Sequence, residues 1–597
     1  MFQSYTAQTS PDQGPPRLKA LRVAMNEAGL AGFLVPRADA HQGEYVAPCD
    51  DRLAWLTGFT GSAGFACALP DRAGVFIDGR YREQVKAQVA LSDFTPVHWP
   101  ETQLAEWLKT ALPNGGLVGF DPWLHTAGEI EKHRKALQGT QITLQACGNL
   151  IDQIWQDRPA PPMGKVIAQP IELSGQKSGD KRLKIADILT KAGQSAAVLT
   201  LPDSICWLLN IRGSDIPRNP IAHGFAVIHA DATVDLFMEP EKTADLGPDP
   251  AIRQHKPADF RIALGTLKGT VRVDKATAPL AISQILETHD TAIAYADDPC
   301  ILPKACKNPV EIQGARDAHL RDGAAMVEFL AWLDAEPAGT LTEIDVAQKL
   351  EGFRAATGQL RDISFDTISG AGPNGAIVHY RVTQDTNAPV ADGQLLLVDS
   401  GGQYQDGTTD ITRTMAIGEV GEVEKQCFTR VLQGVIAISR ARFPKGVAGA
   451  HLDALARAPL WMAGQDFDHG TGHGVGSYLC VHEGPQRLSR LSDVPLKEGM
   501  ILSNEPGYYR PGAFGIRIEN LIVVQKAPAL TGQDDRNMLS FETLTYVPVD
   551  RQLILPEMLS ADEITWLNGY HAKCAELLHS HVSAQAAEWL AEATRPL

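Results

Sequence analysis

Acidic residues and histidines recur beside glycines in the second half of the sequence, and these side chains have types and spacings that could do chemistry. Asp399 directly follows an apolar run, and Asp410 lies within the glycine- and threonine-rich stretch behind it. Taken singly such residues say little, because a histidine beside glycine is usually a loop residue. The further segments are 374–380 with His379, 468–476 with His469 and His473, 481–485 with His482, 504–509 with Glu505, and 515–520 with Arg517 and Glu519.

Residues 395–415 are predicted to form a hairpin that presents two aspartates. Asp399 and Asp410 lie symmetrically about a point between Tyr404 and Gln405, so a turn there would set the carboxylates opposite one another, with Cβ atoms about 5 Å apart. Like charges that face each other destabilise a sheet, and burying them costs several kcal/mol each, so a cation is expected between them. The alternative is a solvated hairpin with two surface aspartates, which the apolar flanks and the further donors disfavour.

Together the candidate donors predict a metal site. Four carboxylates and one imidazole, all at strand ends or tight turns, favour Mn, Co, Zn or Fe and exclude thiolate chemistry. Four carboxylates balance the charge of two divalent ions, so a dinuclear site is expected. Residues 515–520 alternate apolar and polar side chains, which places Arg517 and Glu519 on one face of a strand.

The first half of the chain is predicted to contain one α/β module used twice. A tryptophan stands seven residues before a serine at Trp55 and Ser62, and again at Trp207 and Ser214. Such a repeat is the signature of a duplicated unit. Only the first copy carries Asp78-Gly79-Arg80, so that copy is the one expected to touch substrate.

Proline-containing breaks at 159–162 and 298–309 divide the chain into predicted domains 1–158, 159–308 and 309–597. The third domain has longer helical patterns, which with interleaved short strands indicate an α/β or α+β catalytic domain. The predicted helices are 324–333, one capped by Thr342 and ended by Gly358, 424–443, and a helical tail over 564–589.

Composition excludes several classes of protein. With 44% hydrophobic and 21% charged residues the chain resembles an ordinary globular protein, and its formal charge of −17 argues against nucleic acid or an anionic membrane as the main partner. Residues 1–22 lack the long apolar core of a signal peptide, and no stretch is apolar enough to span a membrane. Nine scattered cysteines without a Cys-x-x-Cys pair suit reduced thiols in a cytoplasm.

The donor segments resemble those of the Xaa-Pro aminopeptidases, in the pita-bread metallopeptidase family that also holds prolidase, methionine aminopeptidase and creatinase. The resemblance covers the whole chain, and residues 39–42, 44–49, 78–81 and 209–215 resemble the long, three-domain subgroup. It implies an α/β and α+β fold class: two creatinase-type N-terminal α/β domains followed by a C-terminal pita-bread metallopeptidase domain. It also implies a homodimer.

The resemblance further implies a role for each donor. Asp399 would chelate one metal ion, Asp410 and Glu519 would bridge both, and His473 with Glu505 would complete the second. All five positions of the family's Asp, Asp, His, Glu, Glu pattern are filled. The cofactor expected is two divalent ions per subunit, with Mn²⁺ as the first choice and Co²⁺ or Zn²⁺ as alternatives.

Substrate contacts are assigned in the same way. His379 and His482 match the family's catalytic and substrate-contacting histidines, His469 matches a third histidine near the site, and Arg80 matches a first-domain arginine that touches substrate. Arg517 is also expected to contact substrate, and Tyr508 and Tyr509 are candidates for a proline pocket.

The resulting hypothesis is release of the N-terminal residue from peptides with proline in second position, by a hydroxide that bridges two metals. Glu505 would take the water's proton and pass it to the leaving nitrogen. Prolidase, which cuts only dipeptides, and a non-catalytic pita-bread binding module are the alternatives. No Gly-x-Ser-x-Gly elbow supports a serine hydrolase, and residues 470–476 lack dinucleotide-binding spacing.

Overall fold

The computed structural model describes residues 1–99 and 101–597, so Pro100, in predicted domain 1–158, lies outside the described residues. The described chain divides into two compact units. The N-terminal unit comprises Gln8–Ile171 and Gln176–Ile301, and the C-terminal unit comprises Met1–Ala7, Glu172–Gly175 and Leu302–Leu597. No helix in the described part of the chain combines the length and the apolar character that crossing a membrane requires.

The N-terminal unit alternates short strands with helices. Its strands are β1 (Gly32–Pro36), β2 (Phe65–Ala68), β3 (Ala73–Ile77), β4 (Thr95–His98), β5 (Gly116–Phe120), β6 (Ile142–Ala146), β7 (Ile167–Ala168), β8 (Ala196–Leu199), β9 (Ile211–Arg212), β10 (Phe225–His229), β11 (Val234–Phe237), β12 (Ile252–His255), β13 (Thr270–Val273) and β14 (Ala292–Tyr295). Its helices are α1 (Gly14–Glu27), α2 (Arg52–Thr57), α3 (Gln84–Gln88), α4 (Leu104–Ala111), α5 (Ala127–Ala136), α6 (Leu150–Ile154), α8 (Ser178–Lys191), α9 (Pro202–Leu209), α10 (Pro240–Thr243), α11 (Phe260–Thr266) and α12 (Leu280–Thr288), and α7 (Ile171–Ser174) crosses the boundary between the units in the sequence.

Two six-stranded sheets of the N-terminal unit have the same topology. The first has the order β4-β3-β2-β1-β5-β6 and the second the order β12-β11-β10-β8-β13-β14. In each sheet the strand that opens the module is antiparallel to one neighbour and parallel to the other, and the edge pairs are parallel. Matching order and matching strand directions confirm the duplicated module that the Trp-to-Ser spacing predicted.

The C-terminal unit carries longer helices and several smaller sheets. Its strands are β15 (Asp362–Ile363), β16 (Ile368–Ala371), β17 (Gln394–Ser400), β18 (Gly402–Tyr404), β19 (Gly407–Thr408), β20 (Ile411–Ile417), β21 (Arg442–Pro444), β22 (Gly472–Gly474), β23 (Glu483–Leu488), β24 (Ile501–Asn504), β25 (Gly507–Arg510), β26 (Phe514–Arg517), β27 (Asn520–Lys526) and β28 (Met538–Thr543). Its helices are α13 (Ile301–Ala305), α14 (Pro309–Ala335), α15 (Glu343–Ala356), α16 (Glu422–Ser439), α17 (Gly449–Trp461), α18 (Ala561–Leu578) and α19 (Ala584–Ala593).

Local sequence signals account for the helix starts in this unit. Asn308 caps α14 through a capping box with Glu311, and Pro309 fills the first helical position, where its missing N–H costs nothing. Thr342 caps α15 as predicted, and Gly358 follows that helix at a φ of +70°, which glycine adopts without strain. The predicted helix over 324–333 lies within α14, and the helical tail is confirmed as α18 and α19.

The prediction of a helix over 424–443 is wrong at its end. Helix α16 stops at Ser439, and Arg442–Pro444 instead forms β21, which pairs with β28 about a hundred residues later in the sequence. Local periodicity cannot reveal a strand that is stabilised by so distant a partner.

The hairpin prediction is wrong in register. Asp399 pairs with Thr412, not with Asp410, because the turn falls at Gln405–Asp406 between the paired residues Tyr404 and Gly407. Because the turn is shifted by one residue, Asp410 stands two residues before Thr412, the residue that faces Asp399. Asp410 is therefore a diagonal neighbour of Asp399, at a distance that long side chains can still span.

Candidate metal centre

The C-terminal unit brings the five predicted metal donors from five separate points of the chain to one place. Asp399 lies in β17, Asp410 directly precedes β20, and His473 is the middle residue of β22. Glu505 directly follows β24, and Glu519 stands between β26 and β27. Each donor is therefore held by a strand whose backbone is fixed through its ladder of hydrogen bonds, which positions side chains more accurately than a free loop would.

The spacing of the donor atoms is that of ligands around a shared cation. His473 Nε2 lies 3.5 Å from Asp410 Oδ2 and 3.5 Å from Glu505 Oε1. One donor atom each of Asp410, His473 and Glu519 lies within 4.8 Å of the other two. Two ligand atoms that are each about 2.1 Å from one ion stand about 3.0–3.4 Å apart, so the nitrogen–oxygen separations exceed good hydrogen bonds and approach this ligand spacing.

The carboxylates of this cluster repel one another. Burial raises the pKa of Asp410 well above its usual range, and the charges of Asp399 and Glu505 raise it further. Burial and Asp410 likewise raise the pKa of Glu519 well above its usual range. The pKa of Glu505 is raised by burial, against the opposing effect of His473. Like charges with little water between them favour protonation unless a cation joins them.

Arg517 supplies one positive charge to the cluster. Its Nη2 donates to Asp399 Oδ2 at 2.6 Å, and its Nη1 donates to the Tyr509 hydroxyl at 2.6 Å. Burial by itself lowers the pKa of Arg517, but Tyr509, Asp399 and Glu505 outweigh burial and hold that pKa well above its usual range. One guanidinium cannot balance four carboxylates, so the cluster keeps an excess of negative charge.

The predicted histidines His482 and His379 belong to segments that contact residues of the cluster. The His482 ring lies 4.3 Å from the His473 ring between centroids, in an edge-to-face arrangement. His379 is half-buried, and its chain neighbour Val378 accepts a hydrogen bond of 3.4 Å from Arg517 through its carbonyl oxygen. Both histidines therefore come from segments that border the cluster.

His469 joins the cluster through Tyr509. Burial raises the pKa of Tyr509 to about 12, so its hydroxyl keeps its proton at neutral pH. Because that oxygen accepts from Arg517, its proton is available to His469 Nε2 at 2.8 Å. The matching tautomer of His469 carries its proton on Nδ1, which lies 2.8 Å from the Gly470 carbonyl oxygen and donates to it.

Arg80 lies in the N-terminal unit, in a short 3-10 turn directly after β3. Its Nε donates to Asp78 Oδ1 at 3.0 Å and its Nη2 to Asp78 Oδ2 at 2.7 Å. The guanidinium carbon also lies 5.2 Å from the centre of the Tyr81 ring. The Asp78-Gly79-Arg80 motif thus forms a bidentate pair that fixes the arginine.

Two hydroxyl residues that the sequence analysis missed orient the donors. Thr412 Oγ1 donates to Glu519 Oε2 at 2.8 Å. Ser503 Oγ accepts from the backbone N–H of His473 at 2.9 Å and donates to Glu505 Oε1 at 3.1 Å. Ser503 stands two residues before Glu505, on the same face of β24, so the alternation of strand side chains could have identified it.

The donor set fits a pair of divalent cations. Asp399 Oδ1 is buried and has no hydrogen-bond partner among the described residues, although its other oxygen is bound by Arg517. A buried carboxylate oxygen without a partner costs free energy that a cation would recover. Hard carboxylate oxygens with a single imidazole nitrogen suit Mn²⁺, Co²⁺ or Zn²⁺.

Comparison with known proteins identifies the class to which this architecture belongs. Residues 313–526 match metallopeptidase family M24, and residues 537–597 match the C-terminal region of that family. Residues 17–154 and 157–311 each match a creatinase/prolidase N-terminal domain. The predicted fold class of two creatinase-type domains and a metallopeptidase domain is thereby confirmed.

Three relatives are informative. The probable Xaa-Pro aminopeptidase P of Aspergillus fumigatus is 39% identical over 97% of this chain and 92% of that protein. The crystal structure of the X-prolyl aminopeptidase of Caenorhabditis elegans, described as a cytosolic enzyme with a di-nuclear active site, is 33% identical, covers 98% of this chain and 99% of its own, and has a TM-score of 0.91. The prolidase of Pyrococcus horikoshii is 27% identical, covers 62% of this chain and 99% of its own, and has a TM-score of 0.50.

The chain belongs to metallopeptidase family M24. Of the three relatives described above, the Xaa-Pro aminopeptidase P and the X-prolyl aminopeptidase match nearly the whole chain, and the prolidase matches 62% of it.

Proposed function

We propose that this metallopeptidase releases the N-terminal residue from peptides that have proline in the second position. The observation that carries the proposal is the cluster of Asp399, Asp410, His473, Glu505 and Glu519, in a chain similar over its whole length to an X-prolyl aminopeptidase with a di-nuclear active site. The prolidase covers only 62% of this chain, whereas the X-prolyl aminopeptidase covers 98% of it, and this difference favours the proposed function over a dipeptidase.

Two divalent cations per chain would be held by the five donors, and Mn²⁺ is the proposed metal. Asp399 would bind one ion, Asp410 and Glu519 both, and His473 with Glu505 the other. Bound there, the cations would supply Lewis acidity toward the scissile carbonyl and lower the pKa of a water toward about 7.

The chain's own groups handle the protons of the reaction. Glu505 is the proposed base that takes a proton from the attacking water and passes it to the leaving nitrogen, and its position beside His473 and the Ser503 hydroxyl supports this role. His379 and His482 are the proposed contacts to the peptide carbonyl. An imidazole ring can donate or accept there according to which nitrogen carries a proton.

The preference for proline would come from the absence of a hydrogen-bond acceptor in the pocket. Proline has no amide hydrogen at the cleaved bond, so the pocket needs no acceptor there and only has to enclose an apolar ring. The Tyr509 hydroxyl contacts the His469 ring, and Tyr508 is the neighbour of Tyr509 in β25. These three side chains are the proposed walls. Arg517 and Arg80 are proposed to hold the peptide by charge.

The wider organisation is proposed from the same similarities. We place the domain boundaries at 158/159 and 308/309, next to the starts of the matched regions at 157 and 313. We propose that the protein is cytoplasmic, which agrees with the cytosolic description of the Caenorhabditis elegans enzyme. We also propose that it is a homodimer.

A substrate panel tests the function. The chelated protein is assayed on Arg-Pro-Pro, Arg-Ala-Pro and Gly-Pro after separate addition of Mn²⁺, Co²⁺ and Zn²⁺. We expect release of free arginine from Arg-Pro-Pro, with the highest rate in Mn²⁺, and far slower cleavage of Arg-Ala-Pro. Cleavage of Gly-Pro alone would instead establish a prolidase.

Metal analysis separates an enzyme from a binding module. Protein purified without chelator is expected to carry about two divalent ions per chain, since four carboxylates balance two such charges. A content well below one ion per chain together with no hydrolysis of any peptide would favour a non-catalytic module and contradict the proposal.

A further inference from the structure

A second cluster of metal-ligating side chains lies in the N-terminal unit, where the two modules of that unit meet. Asp39 and Asp50 belong to the segment between β1 and α2 of the first module, and His223 precedes β10 of the second. One donor atom of each residue lies within 4.8 Å of the other two, the same spacing found for Asp410, His473 and Glu519.

The closest pair of this cluster also has the spacing of ligands. His223 Nε2 lies 3.6 Å from Asp39 Oδ2, compared with 3.5 Å between His473 Nε2 and Asp410 Oδ2. A separation of 3.6 Å is too long for a hydrogen bond between nitrogen and oxygen, and it is close to that of two atoms bound to one ion.

One carboxylate oxygen of Asp39 faces the cluster and has no hydrogen-bond partner in the described part of the chain. Its Oδ1 accepts from the backbone N–H groups of His41 at 2.9 Å and Gly43 at 3.2 Å, whereas its Oδ2 has no hydrogen-bond partner among the described residues. The side chain is only 1% exposed, so water cannot compensate that oxygen from outside. Asp399 shows the same pattern, one oxygen held and one buried without a partner.

The Asp50 carboxylate is also held through one of its two oxygens. Asp50 Oδ1 accepts from Arg52 Nη1 at 2.9 Å and from Arg158 Nη2 at 3.2 Å. Among the described residues its Oδ2 accepts only from the Cys49 thiol, at 3.4 Å, and a thiol is a weak donor. Arginines thus orient the Asp50 carboxylate and leave its second oxygen available, as outer partners do for carboxylates that bind metals.

His223 is held through its backbone on both sides. Its backbone N–H donates to Asp215 Oδ2 at 2.6 Å, and its carbonyl oxygen accepts from Lys242 Nζ at 3.0 Å. These two contacts fix the position from which the imidazole reaches Asp39, and the lone pair of an imidazole nitrogen can bind a metal.

We propose that Asp39, Asp50 and His223 bind one divalent transition-metal ion, of which Zn²⁺ is the representative, and that this ion joins the two modules of the N-terminal unit. Carboxylate oxygens and imidazole nitrogens are both ligand types that bind Zn²⁺. Two carboxylates balance the charge of one ion, whereas the C-terminal cluster has four. The ion is structural, and it connects segments that lie far apart in the sequence.

The test is performed on the full-length chain with the C-terminal centre disabled by Asp410→Asn and Glu519→Gln. This protein is treated with EDTA, equilibrated with Zn²⁺ alone and desalted, and bound zinc is measured by mass spectrometry. We expect about one zinc ion per chain, and we expect His223→Gln added to this background to reduce it to nearly none. His229→Gln is the matched control, because His229 contacts Asp235 elsewhere in the second module.

A second readout and a second variant make the outcome decisive. Zn²⁺ should raise the thermal unfolding midpoint of the disabled background and of the His229→Gln control but not of the His223→Gln variant. Asp39→Asn, which keeps the size of the side chain, should abolish both the bound zinc and the shift. No zinc retained by the background, or equal zinc with and without His223→Gln or Asp39→Asn, would overturn the proposal. An adventitious ion would give that equal zinc.

Discussion

The cluster of the C-terminal unit and the cluster of the N-terminal unit share the same local arrangement: a histidine nitrogen about 3.5 Å from an aspartate oxygen, and a buried carboxylate whose second oxygen lacks a partner. They differ in charge and in setting. The first has four carboxylates and lies among strand ends; the second has two and lies between loops of two modules. The number of carboxylates therefore distinguishes a centre suited to two cations from one suited to a single cation.

The clusters also differ in what neutralises them without metal. Arg517 reaches directly into the C-terminal cluster and binds Asp399, which lowers the cost of several buried charges. In the N-terminal cluster Arg52 and Arg158 bind Asp50, and Asp39 receives backbone N–H groups on one oxygen. Both clusters therefore use arginine to hold one carboxylate, and the N-terminal cluster adds backbone N–H groups that hold a second one.

The largest effect is expected from Asp410→Asn. Asp410 is the proposed bridge between two ions, so the variant should lose both, and the peptidase rate should fall on the order of 10³-fold because several kcal/mol of transition-state stabilisation is lost. Asp406→Asn, in the turn of the same hairpin and paired with Arg321, is the matched control and should keep its metal and rate. Full metal content and activity in Asp410→Asn would contradict the assignment.

Arg517→Met probes the resident cation. Removing one partner of a buried ion pair costs about 3–5 kcal/mol, so the free energy of unfolding of the chelated protein should fall by that amount. Mn²⁺ should restore most of the loss, because the ions then balance Asp399. Urea unfolding with and without Mn²⁺ measures both the loss of free energy and its restoration. Arg316→Met removes an exposed pair with Glu542 and should change the free energy by less than about 1 kcal/mol.

Chelation should loosen the N-terminal cluster through its own ion. At a free Zn²⁺ concentration of 100 times Kd, the bound ion stabilises the folded site by about 2.7 kcal/mol, and chelation removes that stabilisation. Amide exchange within 38–50 and 221–225 should therefore accelerate on addition of EDTA in the native chain. In the His223→Gln variant these amides should already exchange fast, and EDTA should not change their exchange rate. Protection that responds equally to EDTA in both proteins would remove the distinction between the clusters.

The smallest effect is expected from Ser503→Ala. The hydroxyl orients Glu505 and holds the backbone of His473, and loss of such an outer contact typically weakens metal binding about 10-fold. Titration with Mn²⁺ measures this affinity. Ser540→Ala is the control, because the Ser540 hydroxyl is buried without a hydrogen-bond partner among the described residues and its removal should leave the affinity unchanged. An unchanged affinity in Ser503→Ala would remove that hydroxyl from the centre.

Sequence patterns were sufficient where a signal is local. Thr342 and Gly358 marked the ends of α15, and the spacing from Trp55 to Ser62 marked the duplicated module. Patterns failed where a distant partner determines the structure, because β21 exists through its pairing with β28. The hairpin register was also mispredicted: the turn lies at Gln405–Asp406, whereas the predicted turn was centred between Tyr404 and Gln405.

By itself the sequence determined which donors exist and that four carboxylates with one imidazole require cations, because the type of a side chain fixes its charge and its ligand chemistry. Only the tertiary structure decided which donors meet. His223 stands in the second module, whereas Asp39 and Asp50 stand in the first, and their approach follows from how the two modules pack. Packing places atoms that are remote in sequence within a few ångströms of each other, and no periodicity along the chain records that distance.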